Sequence, residues 1–365
     1  MTVPLFDPHA QYLMVKDEID AAISRVVESG HYILGEEVAA FEQEVADFLG
    51  GGHAVGVASG TDALVLALLA TGVGPGDEVV VPAFTFIATA EAVVRTGATP
   101  VFADVEDATG CLAAAAFEAA CTEATRAVLP VHLYGHPCDM DAINAVAAPR
   151  GIKVIEDNAQ GLGAVYHGTR AGAIGDAGCM SFFPTKTLGG FGDGGMITTP
   201  HAEVAEQVRV LRAHGSRDKQ SPTVTGFNSR LDPLQAAPLR VKLSHAEEDH
   251  ARRRTLAARL SEHLGSLGIR LPSDAEGAEH TYGLYVIRVG DRDAVRARLQ
   301  DAGISTGVYY PKPLPNEEIF AQGHRPGQFP VAERLSNEVL AIPLFSAMSD
   351  EDCDSVAAAV ESALP

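Results

Sequence analysis

Between residues 53 and 200 the chain repeats one theme: a short run of β-branched or small apolar residues, then a stretch of helical periodicity. The runs are His53–Ala58, Glu78–Val81, Thr99–Ala103, Ala127–Val131 and Lys153–Glu156. Each is apolar on consecutive positions instead of alternate ones, as in strands covered on both faces. Strand, helix, strand repetition of this kind predicts an α/β fold: a mostly parallel central sheet with right-handed crossovers and helices on both sides.

Upstream, residues 14–29 and 36–49 read as amphipathic helices that stop at Gly30 and Gly50. Residues 235–265 turn helical and charged, as a long connector would. Beyond them, Tyr282–Val289, a helix near Asp291–Asp301, Ile304–Tyr309 and a helix after Asp350 suggest a smaller α+β unit. A chain of 365 residues exceeds what one core usually supports, so two domains are expected, 1–245 and 246–365. Pro311, Pro313 and Pro315 make Tyr310–Pro330 a loop.

A net charge of −21 argues against nucleic acid or an anionic membrane as partner. It also means that any anionic ligand must be held by local cations and backbone amides. The five cysteines, at 111, 121, 138, 179 and 353, form no CxxC pair, which favours reduced thiols in the cytoplasm. The opening residues MTVPLFDPHAQYL lack the basic and apolar regions of a signal peptide. Residues 54–76 come nearest to a spanning segment, but Ser59, Thr61 and Asp62 interrupt them.

Lys186 stands between the aromatic run Ser181-Phe182-Phe183-Pro184 and the glycine-rich turn Gly189–Gly195, and it is one of only six lysines. An amine in an apolar pocket is held neutral and can form a Schiff base with an aldehyde, of which pyridoxal phosphate is the commonest in proteins. Ser59-Gly60-Thr61-Asp62 follows the first run and opens a helix, a geometry that suits phosphate as well as an ordinary cap. Asp157 and Gln160 follow another run, where a carboxylate could keep a pyridine nitrogen protonated or merely cap a turn. Phe86 offers an aromatic face for a flat ring, though an aromatic after a strand is more often core. Arg230, in Gly226–Asp232, suits a phosphate or carboxylate, or a solvated loop. His132, His136 and Cys138 have no standard zinc spacing, so no metal site is expected. There is no GxGxxG, GxSxG or HExxH.

Taken together, SGTDAL, GPGDEVVVPAFTFIATA, PVHLYGHPCDMD, VIEDNAQGLGA, SFFPTKTLGGFGDGG, GFNSRLDPLQAA and YGLYVIR resemble, in order and over nearly the whole chain, the DegT/StrS-type nucleotide-sugar aminotransferases. These belong to fold type I of the pyridoxal-phosphate enzymes. The resemblance implies that Lys186 is the Schiff-base lysine and Asp157 the partner of the pyridinium. Gln160 would meet the cofactor's phenolic oxygen and Phe86 would stack on its ring. Gly60, Thr61 and Ser181 would hold the phosphate, with Asn228 reaching in from the second subunit of a homodimer. Arg230 and Tyr310 would face the substrate, a nucleotide-linked keto-sugar, with L-glutamate as the amino donor.

Thr187 stands where the family often has asparagine, and Tyr309 where it usually has histidine; PKPLPNEEIF also lacks the usual His-Leu-Gln. These departures bear on the sugar, not on the chemistry. The Asn228–Asp232 wording is closer to relatives acting at C3 than to those acting at C4. In the dehydrating branch of the family the lysine is replaced by histidine, so Lys186 argues against it. A cyclitol aminotransferase would share the chemistry. A cofactor-binding sensor would be expected to carry a basic DNA-binding segment, and a dehydrogenase its glycine fingerprint.

Overall fold

In the computed structural model, residues 2–217, 221–321 and 323–365 are described. A seven-stranded sheet runs in the spatial order His53–Val57, Gly195–Thr199, Ala177–Ser181, Lys153–Asp157, Thr125–Val128, Glu78–Pro82, Thr99–Ala103. Only Gly195–Thr199 is antiparallel to its neighbours; every other adjacent pair is parallel. The fold is therefore α/β with a mostly parallel sheet, as expected. Two of its strands, AGCMS and GMITT, are not among the apolar runs read from the sequence. They are built from glycine, serine, threonine and methionine, and they become strands because each side is already paired.

The helix Gly60–Ala70 lies at the centre of this layer. Ala63 through Leu68 are all buried, so it is apolar all round and has no solvent face. Burial of Leu64, Leu66 and Leu68 contributes roughly 1.5–3 kcal/mol each. Its position delivers Ser59 and Gly60 to the carboxyl edge of the sheet.

The long helical connector is two helices, Pro233–Ser244 and Ala246–Leu264, broken at His245. The second helix buries Leu256, Leu260 and Leu264 in a separate core with Tyr285, Ile287, Leu299, Leu340, Val356 and Val360. Tyr285–Arg288 forms a strand within the expected Tyr282–Val289, and its partner is Val339–Ile342. Ile304–Tyr309 does not form a strand. Among the described residues it pairs only through isolated bridges, Ile304 with Val3 near the chain start and Gly307 with Ala341 of the small sheet. Residues 310–330 are irregular apart from the turn Leu314–Asn316, and Pro330 opens a helix; Gln322 lies outside the described residues. Among the described residues no helix is long and apolar enough to cross a membrane.

Candidate active site

Four strand ends converge. His53–Val57 leads to Ser59-Gly60-Thr61, Glu78–Pro82 to Phe84–Phe86, Lys153–Asp157 to Gln160, and Ala177–Ser181 to Lys186. Ligands of open α/β sheets collect outside this edge. Ser59 caps the central helix by accepting from the Asp62 amide at 3.1 Å, and Ser59 O takes the Ala63 amide. The amides of Gly60 and Thr61 thus remain the positive end of the helix. A Cβ on Gly60 would stand 2.6 Å from Ser181 Cβ, so only glycine lets the helix start press against that strand end. Gly60, Thr61 and Ser181 therefore share one corner, with two amides and a hydroxyl converging.

Asp157 is 5 % exposed. Its Oδ2 accepts from Thr89 Oγ1 at 2.8 Å and its Oδ1 from the Ala159 amide at 3.2 Å. Burial lifts the carboxyl's pKa; Thr89, the Ala159 amide and the Lys186 charge oppose that rise without cancelling it. Lys186 shows the mirror effect: burial pushes its amine down, against the pull of Asp157. The two groups sense one another across a desolvated pocket.

Gln160 is clamped, its Oε1 accepting from the Tyr134 amide at 2.8 Å and its Nε2 donating to Tyr310 OH at 3.0 Å. Tyr310 lies between Phe84 and Phe86, with ring centroids 6.1 and 6.0 Å away, and burial pushes its phenol up. Phe86 itself is 53 % exposed and presents its ring outward. In the turn Gly226–Leu231, Ser229 is the residue that points inward: its hydroxyl donates to Asp62 Oδ2 at 2.7 Å and accepts from the Ala58 amide at 3.2 Å. Alternation carries Asn228 and Arg230 outward, where the guanidinium donates to the Asn228 amide oxygen. Asn228 is exposed on this chain and does not join the Lys186 corner through its own fold.

Residues 14–361 match the DegT/DnrJ/EryC1/StrS aminotransferase family. The chain belongs to that family. It is 44 % identical over 362 residues to the UDP-N-acetyl-3-dehydro-alpha-D-glucosamine 3-aminotransferase of Acidithiobacillus ferrooxidans, covering 99 % of this chain and 98 % of that one. It is 46 % identical over 344 residues to the dTDP-3-amino-3,4,6-trideoxy-alpha-D-glucose transaminase of Streptomyces venezuelae, covering 94 % and 91 %. The crystal structure of S. venezuelae DesV in complex with ketimine intermediate superposes with a TM-score of 0.97 at 44 % identity, covering 99 % and 98 %.

The aminotransferase holds several site residues that the sequence did not single out. Thr85 and Thr89 are one helical turn apart and both are buried. Thr89 spends its single hydroxyl proton on Asp157, so across the 3.2 Å contact Thr85 must be the donor to Thr89. Behind Asp157, the Cys138 amide donates to His132 Nδ1 at 3.0 Å, which places the imidazole proton on Nε2, 2.8 Å from Glu156 Oε2. Both nitrogens of His132 are thereby committed. Glu156 further accepts the amides of Gly172, Ile174 and Gly175. Burial would raise its pKa, but His132 and these amides outweigh it, and the carboxyl is held below its usual range. Tyr134, which holds Gln160 in place, also donates its hydroxyl to Tyr309 O. Among the described residues no group of three or more His, Cys, Asp or Glu is arranged to hold a metal ion.

Proposed function

We propose that this aminotransferase moves the amino group of L-glutamate to C3 of a keto-sugar carried on a nucleotide, with Lys186 as the residue that handles the proton. One observation carries the reading: a desolvated lysine amine faces a buried, hydroxyl-supported carboxylate at the sheet's carboxyl edge. Pyridoxal 5′-phosphate is the cofactor, and the residues present fit it. The Gly60–Ser181 corner is shaped for a phosphate group, and Asp157 offers Oδ1 and Oδ2 to a protonated ring nitrogen. Gln160 and Tyr310 supply polar contacts at the ring's edge, and the outward ring of Phe86 offers a stacking face. When bound, the cofactor supplies an aldehyde for the amine and a ring that accepts the electron pair released at the reacting carbon.

The chain's own residues do the rest. Lys186 Nζ, whose charged form burial disfavours, would take the proton from the donor's Cα and return it, and would reverse the transfer for the sugar. Asp157, its carboxylate supported by the Thr89 hydroxyl, would keep a ring nitrogen placed against it protonated. Gln160, fixed by the Tyr134 amide, orients the ring edge. Arg230, whose guanidinium donates to the neutral amide of Asn228 and forms no ion pair among the described residues, is placed to meet the anionic substrate.

A homodimer with shared sites is part of the proposal. Phe183, Phe191, Phe227 and Leu234 flank Lys186 and Asn228 in sequence and expose their apolar side chains, as does Ile33. Such a patch beside a pocket marks a surface meant to be covered. The division at 245/246 is supported by the helix break at His245 and the separate core that follows. Five free cysteines, none in a disulfide, support a reducing cytoplasmic setting. C3 rests on the substrates named for the relatives, together with the Asn228–Asp232 wording. The test offers dTDP-linked 3-keto and 4-keto-6-deoxyhexoses and UDP-N-acetyl-3-dehydroglucosamine with glutamate. Mass spectrometry should show amination of a 3-keto substrate; amination of the 4-keto sugar alone would overturn the regiochemistry.

A further inference from the structure

A cavity of about 260 Å³ is lined in part by Tyr134, the residue whose amide holds Gln160; neither Gln160 nor Tyr310 lines it. Tyr134 is the shared wall: it lines the cavity, while its amide holds Gln160 and its hydroxyl meets Tyr309 O. Lys186, Asp157 and Phe86 do not line it. Its apolar sides are Phe84, Val286, Leu335 and Val339.

Two features make it more than a packing gap. His136 is 4 % exposed and lines the cavity, and its Nε2 has no hydrogen-bond partner among the described residues, with the Cys111 thiol the neighbour that acts on the ring. Its Nδ1 faces Pro137 O at 2.7 Å, and a carbonyl can only accept, so Nδ1 carries a proton and Nε2 is the atom left to bond. A buried polar atom without a partner is costly, and a group placed against Nε2 removes that cost. Beside it, His280 Nδ1 accepts the Tyr282 amide at 2.8 Å, which leaves the proton of the neutral ring on Nε2. A hydroxyl, able both to donate and to accept, suits this pair of imidazoles in any protonation state.

The second feature is charge. Arg270, Arg288 and Arg334 all converge on Asp107, and among the described residues the further carboxylate paired with them is Glu338 on Arg288. Three guanidinium groups meet two carboxylates here, with Asp274 close by through its acceptance of the His280 amide, in a chain whose net charge is −21. Arg270 lines the cavity, is largely exposed and gives Asp107 one nitrogen, so most of its five N–H donors remain available. A carboxylate is the natural occupant of that fork.

We propose that this cavity is a second small-molecule site, for a small hydroxylated organic acid whose carboxylate meets Arg270 and whose hydroxyl meets His136 Nε2. Sites for drug-sized ligands begin at roughly 300 Å³, so a second copy of a nucleotide-sugar is too large for it. An occupant in contact with Tyr134 is one residue away from both Gln160 and Tyr309.

The test uses 4-hydroxybenzoate as probe, with benzoate lacking the hydroxyl and 4-hydroxybenzyl alcohol lacking the carboxylate. Calorimetry on the intact protein should show saturable binding of 4-hydroxybenzoate, weakened about tenfold or more for each truncated probe and for Arg270→Ala, which leaves transamination unchanged. His136→Leu should lose the preference for the hydroxyl. Crystals soaked in 3-bromo-4-hydroxybenzoate should place the bromine between His136 and Arg270, a readout that depends on no variant. Absence of binding, equal binding by Arg270→Ala, water alone in the cavity, or bromine beside Lys186 would each overturn the proposal. None of these outcomes depends on the sugar substrate, so the transaminase reading stands or falls separately.

Discussion

Thr89→Val removes one hydroxyl and keeps the β-branched shape, so it tests how much of Asp157's charge is held by a single hydrogen bond. Thr89 is fully buried, Asp157 nearly so, and the bond is 2.8 Å long. A buried hydrogen bond to a charged group is worth about 1.5–3 kcal/mol, which corresponds to roughly one to two pH units. The sign follows from which form the bond favours. Thr89 donates to the carboxylate, and its loss raises a pKa that burial has already lifted. The anionic form of Asp157 then fails at a higher pH as acid is added, and with it the protonated ring nitrogen. The acid limb of the kcat profile should move up by roughly one to two units. The absorbance of the Lys186 Schiff base should titrate in parallel, and Thr89→Ser should restore both. If Thr89→Val keeps kcat within about twofold and its pH profile unmoved, the hydroxyl does not hold Asp157 and the reasoning fails.

Lys186→Ala should abolish turnover, and Lys186→Arg should not rescue it, because a guanidinium keeps the charge but cannot form the imine; retained activity in either refutes the assignment. Gly60→Ala puts a methyl 2.6 Å from Ser181 Cβ and should weaken cofactor affinity, measured by equilibrium dialysis, far more than it lowers Tm. Mixing inactive Lys186→Ala and Asn228→Ala subunits should recover about a quarter of wild-type activity if sites are shared across a two-fold dimer; mixed dimers without activity would exclude sharing. His250 is 1 % exposed, and burial together with Arg253 lowers its pKa to about 4, so the folded state disfavours the protonated ring. Its contribution is intact above the ordinary value of 6.5 and is lost as pH falls towards 4. At pH 5.5 the loss is about 1.4 kcal/mol, which His250→Leu should remove from the pH dependence of urea unfolding; an unchanged dependence counts against it.

Five of the seven sheet strands can be read from consecutive apolar residues, because a strand buried on both faces has no polar side to vary. Ala177–Ser181 and Gly195–Thr199 cannot, since small residues there serve close approach: a Cβ on Gly178 would stand 2.4 Å from Gly172 O, and one on Gly195 2.3 Å from Ser59 O. Lys186, Asp157 and Gly60 are legible because each follows a strand within its own motif. Thr89 is not, because its partner lies 68 residues away and its own surroundings read as plain helix. His132 draws attention in the sequence as a possible ligand, yet what assigns it is the Cys138 amide on one nitrogen and Glu156 on the other. The strand-like look of Ile304–Tyr309 misleads for the opposite reason: its β-branched residues pack inward without a continuous ladder.

A chain of net charge −21 that must hold a phosphorylated cofactor and a nucleotide-linked sugar needs attraction that does not depend on its overall field. Arg212, Arg240 and Arg288 do not provide it, because their partners are already in place: Arg212 is paired with Glu42, Arg240 with Glu37 and Glu44, and Arg288 with Asp107 and Glu338. What remains at the sheet edge is of another kind. The start of the Gly60–Ala70 helix offers amides whose dipoles add no net charge, and the Ser181 hydroxyl adds another donor. Lys186 is a cation only in part, since burial works against its charge. Arg230 is the exception, set outward in the Gly226–Leu231 turn with a neutral amide for company. On the proposed roles, phosphate capture by backbone geometry and substrate capture by the Arg230 guanidinium are separable tasks, located on different segments. That separation explains how the surface can be strongly acidic while the pocket still selects anions: the field of the whole molecule is screened within about 10 Å in ordinary salt, and inside that distance the local donors decide.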